Sequence, residues 1–371
     1  MQQIHNCSAY AATKVIIGNM KLERLDIKVP IHDDRALRLN ALEILRTLKP
    51  DWHPSEITFK DFTVGITNRI FAVFASEDEE TSENRDATKR LIFRVFGNNT
   101  EKIIDRETEL RNWLLLSNAH LAAPLVATFK NGIVCGYLEG ESLNVDSVRS
   151  PKIVRKICKA VARMHKIKPT TQDSETVYTS KSAKFLDNLP ARFEDPEKER
   201  RFQEYFGVKD LRKEYHDLLK IIEGQKNEVV FCHNDLLVYN ILYDKQTNDL
   251  NFIDYEYAGP NYQLFDIANH FNEYAGVDDA DYSRLPSVED QKTFLNLYLK
   301  EFHEGNVADS DVDELLRLVP LFQAASNHFW AIWSLVQAHN STIDFDYVGY
   351  AILRHQMSQK NLAEAKKLLE V

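Results

Sequence analysis

Apolar residues recur at two different spacings along this chain, and the change between them divides it. From Asp34 to Leu48, the residues Leu37, Ala41, Ile44, Leu45 and Leu48 fall at helical spacing behind an acidic start. Ile57 to Phe74 reads instead as strand, glycine turn, strand, and Arg90 to Gly97 as a third strand. The polar, mostly acidic stretch 75–89 between them reads as a solvated loop. Residues 101–118 are predicted helical, and 125–140 form a hairpin turning on Asn131-Gly132. Together these predict an antiparallel sheet with one prominent helix. Residues 1 to about 35 carry no sustained period and are expected to be a poorly packed extension.

After Gly140 the helical period takes over. Ser150 reads as an N-cap with Pro151 at the first helical position, and Ile153, Val154, Ile157, Val161 and Met164 form one stripe. Further helices are expected over Leu211 to Ile222, Gln291 to His303 and Asp313 to about Ala338. Short paired strands around His233 and Asp254 interrupt them. The prediction is an α+β chain of two lobes, a small β-rich N-terminal lobe over 36–140 and a larger helical C-terminal lobe over 141–371. That is the layout of the protein-kinase-like phosphotransferases.

Composition narrows the partners. A formal charge of -10 argues against nucleic acid, whose binders present a basic face. Cys7, Cys135, Cys158 and Cys232 lie far apart, without zinc spacing, which fits reduced thiols. No apolar run has the length of a membrane span and no signal peptide is visible, so a cytoplasmic location is expected. Oligomeric state stays open, a homodimer included.

The stretch Val229 to Tyr243, VVFCHNDLLVYNILY, interrupts an apolar run with one His, two Asn and one Asp. Buried polar groups need partners, so these residues either form a bonded structural turn or face a ligand. Phosphoryl transfer requires a carboxylate near the acceptor hydroxyl, oxygen ligands for Mg²⁺ and a cation on the ATP phosphates. Asp235 and Asn240 have the five-position spacing of a kinase catalytic Asp and its metal-binding Asn. Asp254 follows at the end of a second apolar strand, where such folds hold the Asp that bridges Mg²⁺ to the phosphates. Upstream, Arg94 lies mid-strand as the phosphate cation, with Glu109 placed to hold it and Glu107 as the alternative. The turn TVGITNR, with Gly65 and Asn68, would lie over the phosphates, although it has neither a Walker A nor a G-x-G-x-x-G pattern.

FCHNDLLVYNIL, then FIDYEYAGPNYQLFDIANHFNEYAG (Phe252 to Gly276) and NHFWAIWSLVQAHNSTIDFDYVGYA (Asn327 to Ala351), closely resemble the choline/ethanolamine kinase family over roughly residues 50 to 360. Aminoglycoside phosphotransferases share the H-x-x-D-x4-N and I-D elements but not N-H-F-x-E or W-x-x-W. TVGITN, FKNG, NHFNEYAGV and STIDFDYVGYA look more like ethanolamine kinases than choline kinases. Val64, where Asp or Gly would be expected, and the bulky Tyr239 depart from the pattern. The resemblance implies an ATP- and Mg²⁺-dependent kinase that phosphorylates ethanolamine on the route to phosphatidylethanolamine. In it Asp235 takes the hydroxyl proton, Asn240 and Asp254 bind Mg²⁺, and Glu256 assists a second metal. It further implies an amine site of Glu273, Tyr257, Trp330, Trp333 and Tyr350. Trp330 and Trp333, three apart on one helix, can reach a common point and suit a cation; without the kinase motif the same pair reads as core packing. The alternatives are choline as substrate, or a pseudokinase that binds nucleotide or amine without turnover. His233 is expected to orient its neighbours near Asp254, and His270 to be structural.

Overall fold

The computed structural model describes residues 13–17, 20–62, 68–77, 86–97, 106–168, 175–341 and 343–370. The chain divides into two compact units, Met1–Glu139 and Gly140–Val371.

In the first unit the strands are β1 (Thr13–Ile17), β2 (Met20–Leu25), β3 (Thr58–Phe62), β4 (Asn68–Phe74), β5 (Arg90–Phe96), β6 (Leu125–Phe129) and β7 (Gly132–Gly136). They form one sheet in the order β1-β2-β6-β7-β5-β4-β3. Every pairing is antiparallel except β2 with β6. Helix α1 (Asp34–Leu48) starts where the Asp33 side chain accepts from the Ala36 N–H at 3.0 Å, a side-chain N-cap. Its Leu37, Ala41, Ile44 and Leu45 pack with Phe71, Phe93, Val95 and Val134. Helix α2 (Arg106–Asn118) puts Trp113 and Leu114 into a second cluster with Ile133 and Cys135. Strand side chains alternate between faces, so β5 gives Leu91, Phe93 and Val95 to the α1 side. Ile92, Arg94 and Phe96 are thereby left on the α2 side. Gly132 is required in the hairpin: a Cβ there would meet the Arg94 carbonyl oxygen at 2.4 Å.

The poorly packed extension expected over residues 1–35 is corrected for its second half. Strand β2 joins the sheet, and Leu25, Ile27 and Val29 are buried in the α1 core. Asn131 ties this segment down, accepting from the Val29 N–H at 2.9 Å and donating to the Val29 carbonyl at 2.7 Å. Helices α1 and α2 both pack on the described sheet.

The second unit contains β8 (Glu141–Ser142), α3 (Pro151–His165), α4 (Val177–Asp187), α5 (Pro196–Phe206), α6 (Leu211–Glu223), β9 (Val229–Cys232), β10 (Ile241–Asp244), β11 (Asp249–Phe252), β12 (Gly259–Tyr262), α7 (Gln263–Asn272), α8 (Val288–His303), α9 (Asp309–Asn340) and α10 (Tyr347–Leu369). The strands make two small ribbons, β11-β10-β8 and β12-β9. Pro151 opens α3 as expected, but Ser150 makes no side-chain capping bond. Helix α9 is buried almost continuously from Leu318 to Ala338, because it runs between α7, α8 and α10. Its buried stretch mixes apolar residues with polar ones, Gln323, Ser326, Asn327, His328 and Ser334 among them, which need partners inside the core. No described helix is long and apolar enough to cross a membrane.

Candidate active site

β9 ends in the polar turn His233-Asn234-Asp235, and one helical turn, Val238–Asn240, leads into β10. The structure answers the question the turn poses by splitting it. His233 and Asn234 are completely buried and fully engaged, whereas Asp235 and Asn240 each keep 8% of their surface open. The His233 ring accepts from the Asp235 N–H at 3.3 Å through Nδ1 and donates Nε2–H to the Ile253 carbonyl at 3.0 Å. It therefore joins the Asp235 turn to the residue just before Asp254, as a neutral tautomer, and burial lowers its pKa further. Asn240 donates through Nδ2 to the Asp235 carbonyl at 2.9 Å, so its remaining side-chain group is an oxygen. Asn234 and Asp254 both adopt left-handed backbone, φ 69° and 68°. Such strain costs roughly 1–2 kcal/mol and persists where the surroundings over-determine it. At Asn234 they do: its side chain donates to the Tyr257 carbonyl at 2.9 Å and accepts from Asn261 at 2.6 Å.

Asp266 on α7, which sequence reasoning missed, holds this turn in place. Its carboxylate accepts from the backbone N–H groups of His233 and Asn234, each at 2.8 Å, and from His165 Nε2 at 3.0 Å. Burial works against its charge, but these donors prevail and its pKa is lowered. The His165 Nδ1 then accepts from the Tyr298 hydroxyl at 2.8 Å, and Gln263 donates to that hydroxyl at 2.9 Å. One relay thus runs from α8 through α3 to the catalytic-type turn.

Farther along, α7 ends at Glu273, buried at 2% exposure. Its Oε1 accepts from Arg354 of α10 at 2.8 Å, while Oε2 is buried without a hydrogen-bond partner among the described residues. Arg354 also donates to the Tyr350 hydroxyl at 3.2 Å and to Ser326 Oγ at 3.4 Å. Ser326 donates to Asn269 Oδ1 at 2.7 Å, and the same oxygen accepts from Trp330 Nε1 at 2.7 Å. The Tyr257 hydroxyl accepts from Trp333 Nε1 at 2.8 Å. The rings of Tyr257, Trp330 and Trp333 stand edge to face at 5.3 Å centroid spacings. All five predicted amine-site residues therefore belong to one connected cluster. Tyr257 and Trp330 are nearly sealed, whereas Trp333 and Tyr350 remain half-buried. Arg354, Asn269 and Ser326 were not foreseen. The signal in α7 was a run of polar residues, Asp266, Asn269, His270 and Asn272, in a helix where every residue is buried.

Electrostatics bind the two halves of this site together. Burial pushes the Asp235 carboxyl well above the ordinary range; Asp254, Glu273 and Glu256 add to the rise and Arg354 opposes it. Four carboxylates against one guanidinium make a site that a cation would relieve. Asn240, Asp254 and Glu256 offer only hard oxygen donors, the type Mg²⁺ takes, so the residues fit that ion.

In the first unit, Arg94 of β5 and Glu109 of α2 form a buried ion pair at 3.2 Å, and Arg106 joins Glu109 at 2.6 Å. Glu107 is exposed on the same helix. Asn68 opens β4 and accepts from Arg106 at 3.4 Å. Gly65 and Val64 lie outside the described residues.

A sequence model of the choline/ethanolamine kinase family matches residues 59–359. Ethanolamine kinase 1 of Mus musculus is 36% identical over 359 residues, covering 95% of this chain and 96% of its own length. An ethanolamine kinase of Drosophila melanogaster is 37% identical, covering 88% of this chain and 78% of its own. Among solved structures, a Plasmodium vivax ethanolamine kinase matches with a TM-score of 0.71 at 24% identity, over 90% of each chain.

Proposed function

The chain belongs to the choline/ethanolamine kinase family, and from that premise we propose that it transfers the γ-phosphoryl group of ATP to the hydroxyl of ethanolamine. The products are phosphoethanolamine and ADP, the first step of the CDP-ethanolamine route to phosphatidylethanolamine, carried out in the cytoplasm. The observation that carries the amine assignment is Glu273, a buried carboxylate with one oxygen held by Arg354 and the other lacking a donor among the described residues. A primary ammonium brings three N–H donors and a positive charge. Tyr257, Trp330, Trp333 and Tyr350 complete its surroundings with aromatic rings.

Asp235 orients the ethanolamine hydroxyl and accepts its proton as the new P–O bond forms and the bond to ADP breaks. His233 and Asp266 keep Asp235 in position through the turn they hold. Asn240, Asp254 and Glu256 are the residues that would hold Mg²⁺, which when bound neutralises phosphate charge. In the N-terminal unit Arg94, braced by Glu109, takes the nucleotide phosphates, and Asn68 at the start of β4 serves the same nucleotide. No covalent enzyme intermediate is needed, since positioning and electrostatics supply the rate. A second reading, choline as acceptor, is favoured by the aromatic triad of Tyr257, Trp330 and Trp333.

Coupled measurement of ADP release from MgATP with ethanolamine tests the proposal. Asp235→Ala should lower turnover by roughly 10²–10⁴-fold while the KM for ATP stays within a few-fold, because its role is on the acceptor. A loss shared equally between turnover and nucleotide affinity would contradict that role.

A further inference from the structure

Arg354 is almost wholly buried, at 1% exposure, and has no role in the chemistry described so far. Charge attraction cannot tell ethanolamine from choline, because both carry one positive charge at nitrogen. Hydrogen bonding can, since the quaternary nitrogen has no N–H. The guanidinium of Arg354 sits against Glu273 at 2.8 Å, so the pair presents little net charge to an incoming amine. What the pair does present is Glu273 Oε2, buried and without a donor among the described residues. Arg354 also fixes which oxygen that is, because it grips Oε1 and the Tyr350 hydroxyl together.

We infer that Arg354 is a positioning residue that makes the amine site count N–H donors instead of charge, and so sets the preference for a primary over a quaternary ammonium. This rests on the reading of the site as an ethanolamine kinase. Burial disfavours the charge on Arg354, but Tyr350 and Glu273 more than offset it and the net shift is upward, so the guanidinium stays charged throughout the working range. Lysine is not an equivalent. The guanidinium holds Glu273 and Tyr350 through Nη1 and Ser326 through Nη2, and a single ammonium on a flexible stem lacks that planar spread of donors, so Glu273 would be free to turn.

The test compares ethanolamine, N-methylethanolamine, N,N-dimethylethanolamine and choline as acceptors for wild type, Arg354→Lys and Arg354→Met. In wild type, kcat/KM falls stepwise as each N–H is replaced by methyl. In the variants, ethanolamine loses roughly 10–100-fold, mostly in KM, and choline less than about threefold, since only the former loses an oriented charge-assisted hydrogen bond. The series flattens, the KM for MgATP holds, and Arg354→Lys lies between wild type and Arg354→Met. If Arg354→Met does not fold, the series for Arg354→Lys decides alone. Equal losses for all four amines, or an unchanged series, overturn the inference and leave Arg354 as packing. Absence of turnover with every amine in wild type would instead overturn the functional reading itself.

Discussion

Asp266 and Glu273 are both buried acids at the same helix, two turns apart, and they are used in opposite ways. Asp266 has three donors distributed over both oxygens, two of them backbone N–H groups of the catalytic-type turn. Glu273 has one oxygen engaged by a guanidinium and the other unmet among the described residues. Type and burial do not separate the two residues. The count of satisfied lone pairs does. A buried charge with all its bonds made belongs to the scaffold, whereas one held halfway is arranged for a ligand that brings the missing donor.

The largest effect that separates them is on stability. Asp266→Ala strips His165 and two backbone N–H groups of their partner, so unfolding in urea should show a loss of about 3–5 kcal/mol. Its residual turnover should fall by one factor for ethanolamine and choline alike. Glu273→Gln keeps a hydrogen-bonding side chain beside Arg354 and should cost less stability, yet it should reduce ethanolamine kcat/KM by more than choline kcat/KM. Matching profiles for the two variants would dissolve the distinction.

Between the two acids lies His270. It donates through Nδ1 to the Leu236 carbonyl at 3.1 Å, and burial lowers its pKa from the ordinary 6.5 to about 4. Below pH 6.5 the unfolded chain takes up a proton that the folded chain refuses until about pH 4. The stability this histidine permits is whole above pH 6.5 and declines as pH falls, by about 2 kcal/mol at pH 5. His328 on α9, also lowered to about 4 by burial, adds a similar decline. Thermal melts at pH 7 and pH 5 should show a loss that His270→Gln makes shallower. An identical drop in that variant would place the acid sensitivity elsewhere.

The smallest contrast is aromatic. Trp333 is half-buried, so Trp333→Ala should weaken choline by about 0.5–2 kcal/mol and ethanolamine by less. Trp330 is nearly sealed and bonded to Asn269, so Trp330→Ala should lower activity on both amines together and lower the melting temperature. Steady-state kinetics of both variants on both amines would separate these outcomes.

How much of this was legible in the sequence follows from distance along the chain. The Asp235–Asn240 pair was visible because six consecutive residues carry it, and Asp254 because an apolar strand leads straight to it. Helix α1 was readable from its stripe, and the Asn131-Gly132 hairpin from its turn residues. Asp266 as anchor was not readable, since its partners lie 101 positions away at His165 and 33 away at His233. Arg354 was hidden for the same reason, 81 positions from Glu273. Strand β2 escaped because its pairing with β6 is parallel and joins segments a hundred residues apart. Helix α10 carries too weak an apolar stripe for periodicity to mark, since it buries polar residues such as Arg354, His355 and Ser358. Local chemistry was open to inspection, and the long-range hydrogen bonds that orient it were not.

One measurement bears on the central claim most directly: wild-type protein with MgATP and an equimolar mixture of ethanolamine and choline, followed by phosphorus NMR. Phosphoethanolamine is expected to accumulate first, with phosphocholine forming only slowly while ethanolamine remains. Faster formation of phosphocholine would contradict it, because the open oxygen of Glu273 would then not be what the amine site reads.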